Sequence, residues 1–445
     1  MSRTAVGLAE PDGGGPYMSR TLVMDREQAQ LDLAFDPRRM GPLLAEAIAS
    51  RGARVSAGGC HILDAKYAPR ERCTVLYELG DQLIVGFLRW DGEVGDGGGL
   101  DIPEAGMRVY RFPHDPALPG LPAALDPAAV ARALEGVLGE RVPRCAVTLL
   151  RYRPTRRVTL RVDLRTVDLR TLGRARRTLF VKVYHDVAKA RGVESALRAL
   201  AGTSAVRAGR LVVAPPIAVL GTLQWVLFDA VPGVPLDGML ARSGHAAQAI
   251  PAAAGALAAL HRAGPVPALS RPVTAQLARV ARRAERAAEV APALGAAMAE
   301  LAGALAQNPL WQAGQDEGTL IHGDCKPSQF LVCREGFTAP QLALLDFDSC
   351  GLGDPASDVG AFLASLRKLR GAWAGGTRAA AALGDGFLSA YCAAAGRGAD
   401  FRARVAWYEA LALLRKAQRA FARAPRSPLP AAILAEAREC VLGGE

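Results

Sequence analysis

Aromatic residues are scarce in this chain: Phe, Trp and Tyr make up 6% of 445 positions, within a hydrophobic share of 50%. Its cores must therefore be packed from aliphatic side chains, and there are enough of these for two or three domains. None of the eight cysteines (60, 73, 145, 325, 333, 350, 392 and 440) forms a C-x-x-C pair. A chain of this size needs no disulfide staples, so the thiols read as reduced and the protein as cytoplasmic. Long apolar runs are missing too. AIPAAAGALAALH is too short and too Ala-rich to cross a bilayer. The opening MSRTAVGLAEPDGGGPYMSRTLVMD lacks the apolar core of a signal peptide. Its MSRT recurs at Met18, which makes Met1, Met18 and Met24 candidate starts. No G-x-x-x-x-G-K-[ST] occurs, which argues against a P-loop enzyme.

What is abundant is positive charge: 54 Lys and Arg against 43 Asp and Glu, a net +11. Such an excess raises nucleic acid or an acidic membrane as partners. The arginines, however, are spread along the chain (Arg151, Arg191, Arg282, Arg415) rather than gathered in one block with interleaved aromatics, which argues against a nucleic-acid function.

Two helix-plus-hairpin units follow one another. FDPRRMGPLLAEAIASRG (35–52) starts on Asp-Pro, carries helical apolar spacing and stops at Gly52. HILDAKYAPRERCTVLYELGDQLIVGFLRW (61–90) reads as two or three strands. After the Pro-rich FPHDPALPGLPAALDP (112–127) the pattern restarts, with a helix over 125–140, then LLRYRPTRRVTLRVDLRT and TLFVKVYHD. Tyr67-x-Pro69-x-x-Arg72-x-Thr74 matches Tyr152-x-Pro154-x-x-Arg157-x-Thr159, and Asp36-Pro37 matches Asp126-Pro127. This is the pattern of an internal duplication, although so few positions, in a chain rich in Pro and Arg, are also within reach of chance. Laying LIVGF (83–87) on LFVKV (179–183) puts Gly86 opposite Lys182. Beyond 237 the chain reads as almost wholly helical.

The chemistry concentrates in IHGDCKPSQFLV (321–332) and LALLDFDSCGLGDPASDVG (342–360). Phosphoryl transfer needs a carboxylate for the hydroxyl proton, oxygen ligands for Mg²⁺ and positive charge on the phosphates. Asp324 supplies the first, and Gln329 with Asp346 the second. The apolar runs 330–332 and 342–345 read as two buried strands that fix their spacing.

His322-Gly323-Asp324, Asp346-Phe347 and Gly353-Asp354-Pro355-x-x-Asp358 together resemble the aminoglycoside phosphotransferase and choline kinase-like family, over roughly residues 125–420. The resemblance implies a two-lobed, protein kinase-like α+β fold with a β-rich N-lobe and a helical C-lobe. The expected divisions are a disordered start (1–25), an N-terminal α+β cap module that repeats the N-lobe hairpin unit (26–115), a linker (116–124), the N-lobe (125–233), the C-lobe (234–425) and a tail (426–445). The implied cofactors are ATP or GTP and Mg²⁺, and the partner is a small hydroxylated acceptor such as a sugar, aminoglycoside or amino alcohol, with no membrane involved. Asp324 matches the catalytic base, and Asp346 the metal-binding Asp of the Asp-Phe-Gly position. Lys182 matches the phosphate-gripping lysine and Glu194 its ion-pair partner. A surface lysine on an edge strand and a solvated helix-face glutamate are the plain alternatives for these two. Backbone groups from Asp229 to Val231 match the adenine-pairing hinge.

Departures from the family pattern are as informative. Tyr152-Arg-Pro-Thr-Arg-Arg157 replaces a glycine-rich turn, so Arg153, Arg156 or Arg157 is placed to touch phosphate or to sit solvated. Gln329 stands where Asn is usual, as in maltokinase-like members, which also carry an N-terminal cap. Asp324-Cys-Lys326-Pro resembles the protein kinases, where such a lysine sits beside the transferring phosphate. Few acidic residues are on offer beyond 356 (Asp385, Asp400, Glu409), which counts against a cationic acceptor. The expectation is an ATP- and Mg²⁺-dependent O-phosphotransferase. The alternative is a non-catalytic kinase-like module that binds nucleotide or a partner, a reading that rests on Gln329 alone.

Overall fold

The computed structural model describes residues 26–52, 58–90, 98–168, 170–171, 173–242, 248–264, 266–312, 318–334, 340–369 and 376–442. The start expected to be disordered, 1–25, lies outside the described residues. The chain forms two compact units, one ending at Phe112 and the other starting at Pro113.

In the first unit a helix over 26–34 (α1) and α2 (Pro37–Ala49) precede β1 (Cys60–Ala68), β2 (Arg72–Leu79), β3 (Gln82–Arg89), β4 (Leu100–Ile102) and β5 (Met107–Arg111). The strands are antiparallel in the order β1-β2-β3-β5-β4. Asp36 caps α2 by accepting the Arg38 N–H at 3.0 Å, and Pro37 occupies the first helical position, where its missing N–H costs nothing. Met40, Leu44 and Ile48 recur every four residues and are fully buried, which puts the apolar stripe of α2 into the core.

The second unit begins with α3 (Leu121–Leu125) and α4 (Pro127–Leu138). Next come β6 (Glu140–Arg153), β7 (Arg157–Asp168), β8 (Arg174–Tyr184), α5 (Val187–Ala201), α6 (Ser204–Arg207), β9 (Pro216–Leu220) and β10 (Trp225–Asp229). Its sheet runs β6-β7-β8-β10-β9, the order of the first sheet again. The likeness extends to register. Tyr67 pairs with Cys73 as Tyr152 does with Val158, and the residues at the two turns, Arg70 and Thr155, both adopt positive φ (63° and 62°). A 3-10 turn and a left-handed residue, Gly106 or Gln224, join the last two strands in each unit.

The ladders correct one expectation. Thr74 pairs with Phe87, and its equivalent Thr159 pairs with Lys182. The counterpart of Lys182 is therefore Phe87, not Gly86. The β2–β3 hairpin closes at Leu79↔Gln82, whereas β7–β8 extends to Val167↔Arg174, so ungapped matching of the sequences slips by one residue.

The helical lobe comprises β11 (Val234–Pro235), α7 (Leu236–Arg242), α8 (Ala249–His261), α9 (Val273–Val290), α10 (Pro292–Gln307), β12 (Thr319–Ile321), β13 (Phe330–Arg334), β14 (Gln341–Leu344), β15 (Gly351–Gly353), α11 (Ala356–Leu369), α12 (Gly376–Ala395), α13 (Ala399–Arg423) and α14 (Leu429–Leu442). The second unit is thus a two-lobed, protein kinase-like α+β fold. One boundary differs from expectation. Residues 116–124 are no open linker: Leu118 and Leu121 are fully buried, and Asp115 belongs to the second unit. Within the expected tail, 426–445, α14 packs on α13 and buries Leu434 and Ala437. In both, apolar side chains inside stretches rich in Pro and Ala supply the burial.

Candidate active site

The loop after β12 is held from below. Asp358, at the start of α11 and 1% exposed, accepts the backbone N–H of His322 at 2.5 Å and of Gly323 at 2.8 Å. His261 of α8 approaches the same carboxylate at 3.1 Å and meets the Tyr391 hydroxyl at 2.7 Å through its other nitrogen. Burial by itself would raise the Asp358 pKa, but the His261 hydrogen bond and charge outweigh it and hold the carboxyl below its usual range. His322 is fully buried, and its Nε2 donates to the Leu345 carbonyl at 2.8 Å, tying this loop to β14. Gly323 has φ +75°, and a Cβ there would lie 2.0 Å from the Ser349 carbonyl oxygen. That contact is why no larger residue, arginine included, fits the position. On this scaffold sits Asp324, with a side chain 43% exposed that accepts from Lys326 Nζ at 2.5 Å.

A second carboxylate cluster forms after β14. Asp346 turns the chain in the left-handed region (φ 63°, ψ 55°), an unusual conformation for a non-glycine residue and one that concentrates at functional sites. Arg157 grips it with both guanidinium nitrogens, at 2.8 and 3.0 Å, and Lys182 Nζ lies 2.9 Å away. The Gln329 amide donates to its other oxygen at 3.2 Å. Asp348, one turn on, takes Lys182 at 3.1 Å, the Tyr184 hydroxyl at 2.7 Å and a close contact from Arg157. The sheet explains why these residues converge. Lys182 and Tyr184 are two apart on β8 and so share a face, while Arg157 pairs with Tyr184 across the ladder.

The electrostatics follow from this packing. Removal from water would raise Asp346, yet the Arg157 hydrogen bonds and the Lys182 charge pull it far below the carboxylate range. Lys182 moves down because its burial outweighs the attraction of Asp346. Arg157 moves up despite burial, through its bonds to Asp346. Two cations and two carboxylates thus balance one another in a nearly dry place, where each charge would be costly alone.

Of the residues singled out in the sequence, Lys182, Gln329 and Asp346 meet directly, and Asp324 with Lys326 forms a second pair. Asp324 is near enough to act electrostatically on Arg153 and Arg157, which bracket the β6–β7 turn. Glu194 does not reach Lys182. It pairs instead with Arg198, one helical turn along α5, at 2.9 Å, while two aspartates already satisfy the lysine. At the end of β10, Asp229 is exposed and its side chain is held by Arg177 at 2.7 Å; Val231 lies in the loop that follows. Asp348 and Tyr184 were missed. For Tyr184 the signal was the period of two on β8, which puts it on the face of Lys182; Asp348 lies in a 3-10 turn, where no strand period applies.

No three His, Cys, Asp or Glu side chains cluster as a ready metal cage among the described residues. What is present is two carboxylates and one amide, a hard-oxygen set that suits Mg²⁺ when substrate phosphates and water complete the shell. A groove of about 990 Å³ on the N-lobe sheet, lined by Arg132, Arg144, Arg165 and Arg177 among others, contains none of these residues.

No curated protein matches the chain. Among solved structures it is similar to the GDP complex of a mutant aminoglycoside 2′-phosphotransferase-IIIa, at 14% identity and TM-score 0.49, over 72% of this chain and 98% of that one. A microcompartment-associated aminopropanol kinase is similar at 16% identity and TM-score 0.48, over 71% and 98%. A putative aminoglycoside phosphotransferase from Ralstonia eutropha is similar at 18% identity and TM-score 0.46, over 70% and 96%. The sequence profile of the phosphotransferase enzyme family, APH, matches residues 156–408, more than half of the chain, and the protein therefore belongs to that family.

Proposed function

We propose that the protein transfers the terminal phosphoryl group of ATP or GTP to a hydroxyl of a small molecule, with Mg²⁺. The observation that carries this reading is the meeting of Lys182 and Arg157 from the N-lobe sheet with Asp346, Asp348 and Gln329 from the C-lobe, beside Asp324 on its braced loop.

In the reaction the acceptor oxygen bonds to the terminal phosphorus as the bridging oxygen–phosphorus bond of the nucleotide breaks. Asp324, the half-exposed carboxylate, takes the hydroxyl proton. Lys326, at hydrogen-bond distance from it, presents a cation where charge develops. Lys182 and Arg157 face the phosphates of the bound nucleotide. Asp346, Asp348 and Gln329 would hold Mg²⁺, which when bound neutralises phosphate oxygens. Backbone groups from Asp229 to Val231 serve the base.

The test is ADP or GDP release by the purified protein over a panel of hydroxylated small molecules, run beside Asp324→Asn. Loss of turnover by about 10²–10⁴ in the variant is expected, with the rise in Tm given by Mg·ATP retained. Equal turnover in the two proteins would remove Asp324 from its role. Absence of any Tm rise with either Mg-nucleotide would remove the function itself.

A further inference from the structure

Within electrostatic reach of Asp324 stand arginines that, among the described residues, make no ion pair with a carboxylate. Helices α9 and α13 are clamped side by side by two hydrogen bonds, Arg415 to the Gln276 side chain at 3.1 Å and Gln418 to the Val280 carbonyl at 2.7 Å. Helical spacing then lines up Arg279 with Arg283 on α9 and Arg415 with Arg419 on α13. Arg153 and Arg156, at the β6–β7 turn, bring two more guanidinium groups from the N-lobe. Arg279, Arg283, Arg419 and Arg156 are exposed, and Arg153 and Arg415 half-buried. Among the described residues none of the six makes an ion pair with a carboxylate.

Asp324 exerts its charge on Arg153, Arg415 and Arg419, while Arg283 feels Arg156, Arg279 and Arg419. Partial loss of water pulls both Arg153 and Arg415 down to about 10, helped at Arg153 by the charges of Arg151 and Arg157 and at Arg415 by those of Arg419, Arg279 and Arg283. Even so they remain cationic at neutral pH. Six like charges held together disfavour the fold unless an anion joins them, and arginine is the side chain best shaped to grip carboxylate or phosphate. On α13 itself the acid Glu409 is no counter-ion for these arginines, since it is buried and bound to Arg367 at 2.5 Å.

We infer that the acceptor of this phosphotransferase carries its own anionic group, a carboxylate or a phosphate ester, seated on the arginines of α9 and α13 while its hydroxyl faces Asp324. The inference rests on the function proposed above and names the substrate class for that same site.

Two measurements on the full chain test it. The first is nucleotide-diphosphate release with acceptors that share a carbon skeleton and differ in charge: glucose, gluconate, glucose 6-phosphate and glucosamine, then glycerol, glycerate, glycerol phosphate and serinol. Turnover that depends on Asp324 and favours the anionic members is expected, and carboxylate against phosphate ester tells the two sources apart. Preference for a neutral or cationic member overturns the inference and leaves the phosphotransferase reading standing. The second needs no turnover. With Mg·ADP saturating, inorganic phosphate should bind the wild type and bind Arg415→Gln/Arg419→Gln at least about tenfold more weakly, the loss of one or two charge-assisted contacts. Arg279→Gln/Arg283→Gln gives an independent pair, and the Tm rise with Mg·ADP shows that each variant is folded. Equal phosphate affinity in wild type and both variants overturns the inference. If Mg·ADP raises Tm in none of the proteins, the phosphotransferase reading falls and takes this inference with it.

Discussion

Residues 60–111 and 140–229 build one five-stranded sheet twice, and the two copies differ at the positions that matter for chemistry. Both turn their first hairpin on a left-handed residue, and both brace that turn with a buried carboxylate from an earlier segment. Glu27 accepts the Tyr67 hydroxyl at 2.7 Å and the Arg70 N–H at 3.1 Å. Asp115 accepts the Tyr152 hydroxyl and the Thr155 N–H, each at 2.8 Å. At the centre of the sheet the copies part. Phe87 packs edge-on against Tyr110 at 5.6 Å in the first, and in the equivalent places of the second Lys182 lies over Phe228 at 5.3 Å. Arg72 is exposed, whereas its counterpart Arg157 is 12% exposed and locked to Asp346. The scaffold is thus separable from the side chains it carries: what sets the second sheet apart is a lysine and the carboxylates that a helical lobe brings to it.

The largest effect should come from Lys182→Phe, which writes the residue of the first sheet into the second. It removes the cation shared by Asp346 and Asp348 and should lower kcat/KM by about 10²–10³, as loss of one preorganised electrostatic partner does. Steady-state nucleotide release measures it. A variant that turns over as fast as wild type would mean that the two sheets do not differ functionally at this position.

Arg157→Gln against Arg72→Gln is the next contrast. Breaking a buried ion pair by removing one partner costs about 3–5 kcal/mol. Arg157 and Asp346 are 12% and 19% exposed, which places the change at the lower end. Arg72→Gln should stay within about 0.5 kcal/mol, as surface changes do. Urea unfolding in metal-free buffer gives both values, and added Mg²⁺ should recover part of the loss in Arg157→Gln alone. Equal losses in the two variants would contradict the wiring described here.

Asp115→Asn and Glu27→Gln sharpen the comparison further. Each weakens the same pair of hydrogen bonds and should cost about 1–3 kcal/mol in its own unit. Only Asp115→Asn should also raise the KM for nucleotide, because its turn carries Arg153 and Arg157. An equal kinetic effect of Glu27→Gln would show that the first unit takes part in turnover.

Legibility from the sequence tracked distance along the chain. Asp324, Lys326 and Gln329 sit within one loop, and Asp346 follows a short apolar strand, so order and spacing marked the carboxylates and the amide, and the resemblance to protein kinases marked Lys326. Arg157 and Asp346 are 189 residues apart, and their pairing depends on how two lobes close on each other. For Glu194 the resemblance implied an ion pair with Lys182 and the plain alternative was a helix-face glutamate; here two aspartates take the lysine and Glu194 pairs along its own helix. The duplication was readable from the Tyr-Pro-Arg-Thr match, but not its alignment at Lys182, since hairpin length is a property of the ladder and not of the motif. The arginines of α9 and α13 looked scattered for the same reason: 136 positions separate Arg279 from Arg415, and only helix packing makes them neighbours.

The smallest effects concern acid. Asp346 is held far below its usual range, chiefly by Arg157 once burial is outweighed, while an unfolded aspartate titrates near ~3.9. A depressed carboxylate stabilises the fold at every pH above the unfolded value and loses that contribution as pH falls through the range below about 4. Stability of the second unit should therefore be level from pH 8 to 5 and fall below about pH 4, and the fall should be shallower in Arg157→Gln, whose Asp346 has less depression to lose. Asp101 in the first unit is also lowered, by its hydrogen bond from Arg108, but its side chain is 60% exposed and solvent screens the pair. Asp101→Asn should leave the acid limb of the unfolding curve where it is, as followed by circular dichroism between pH 5 and 2. A shift as large as that in Arg157→Gln would mean that acid stability lies in surface pairs of both units and not in the lysine, arginine and aspartates of the second.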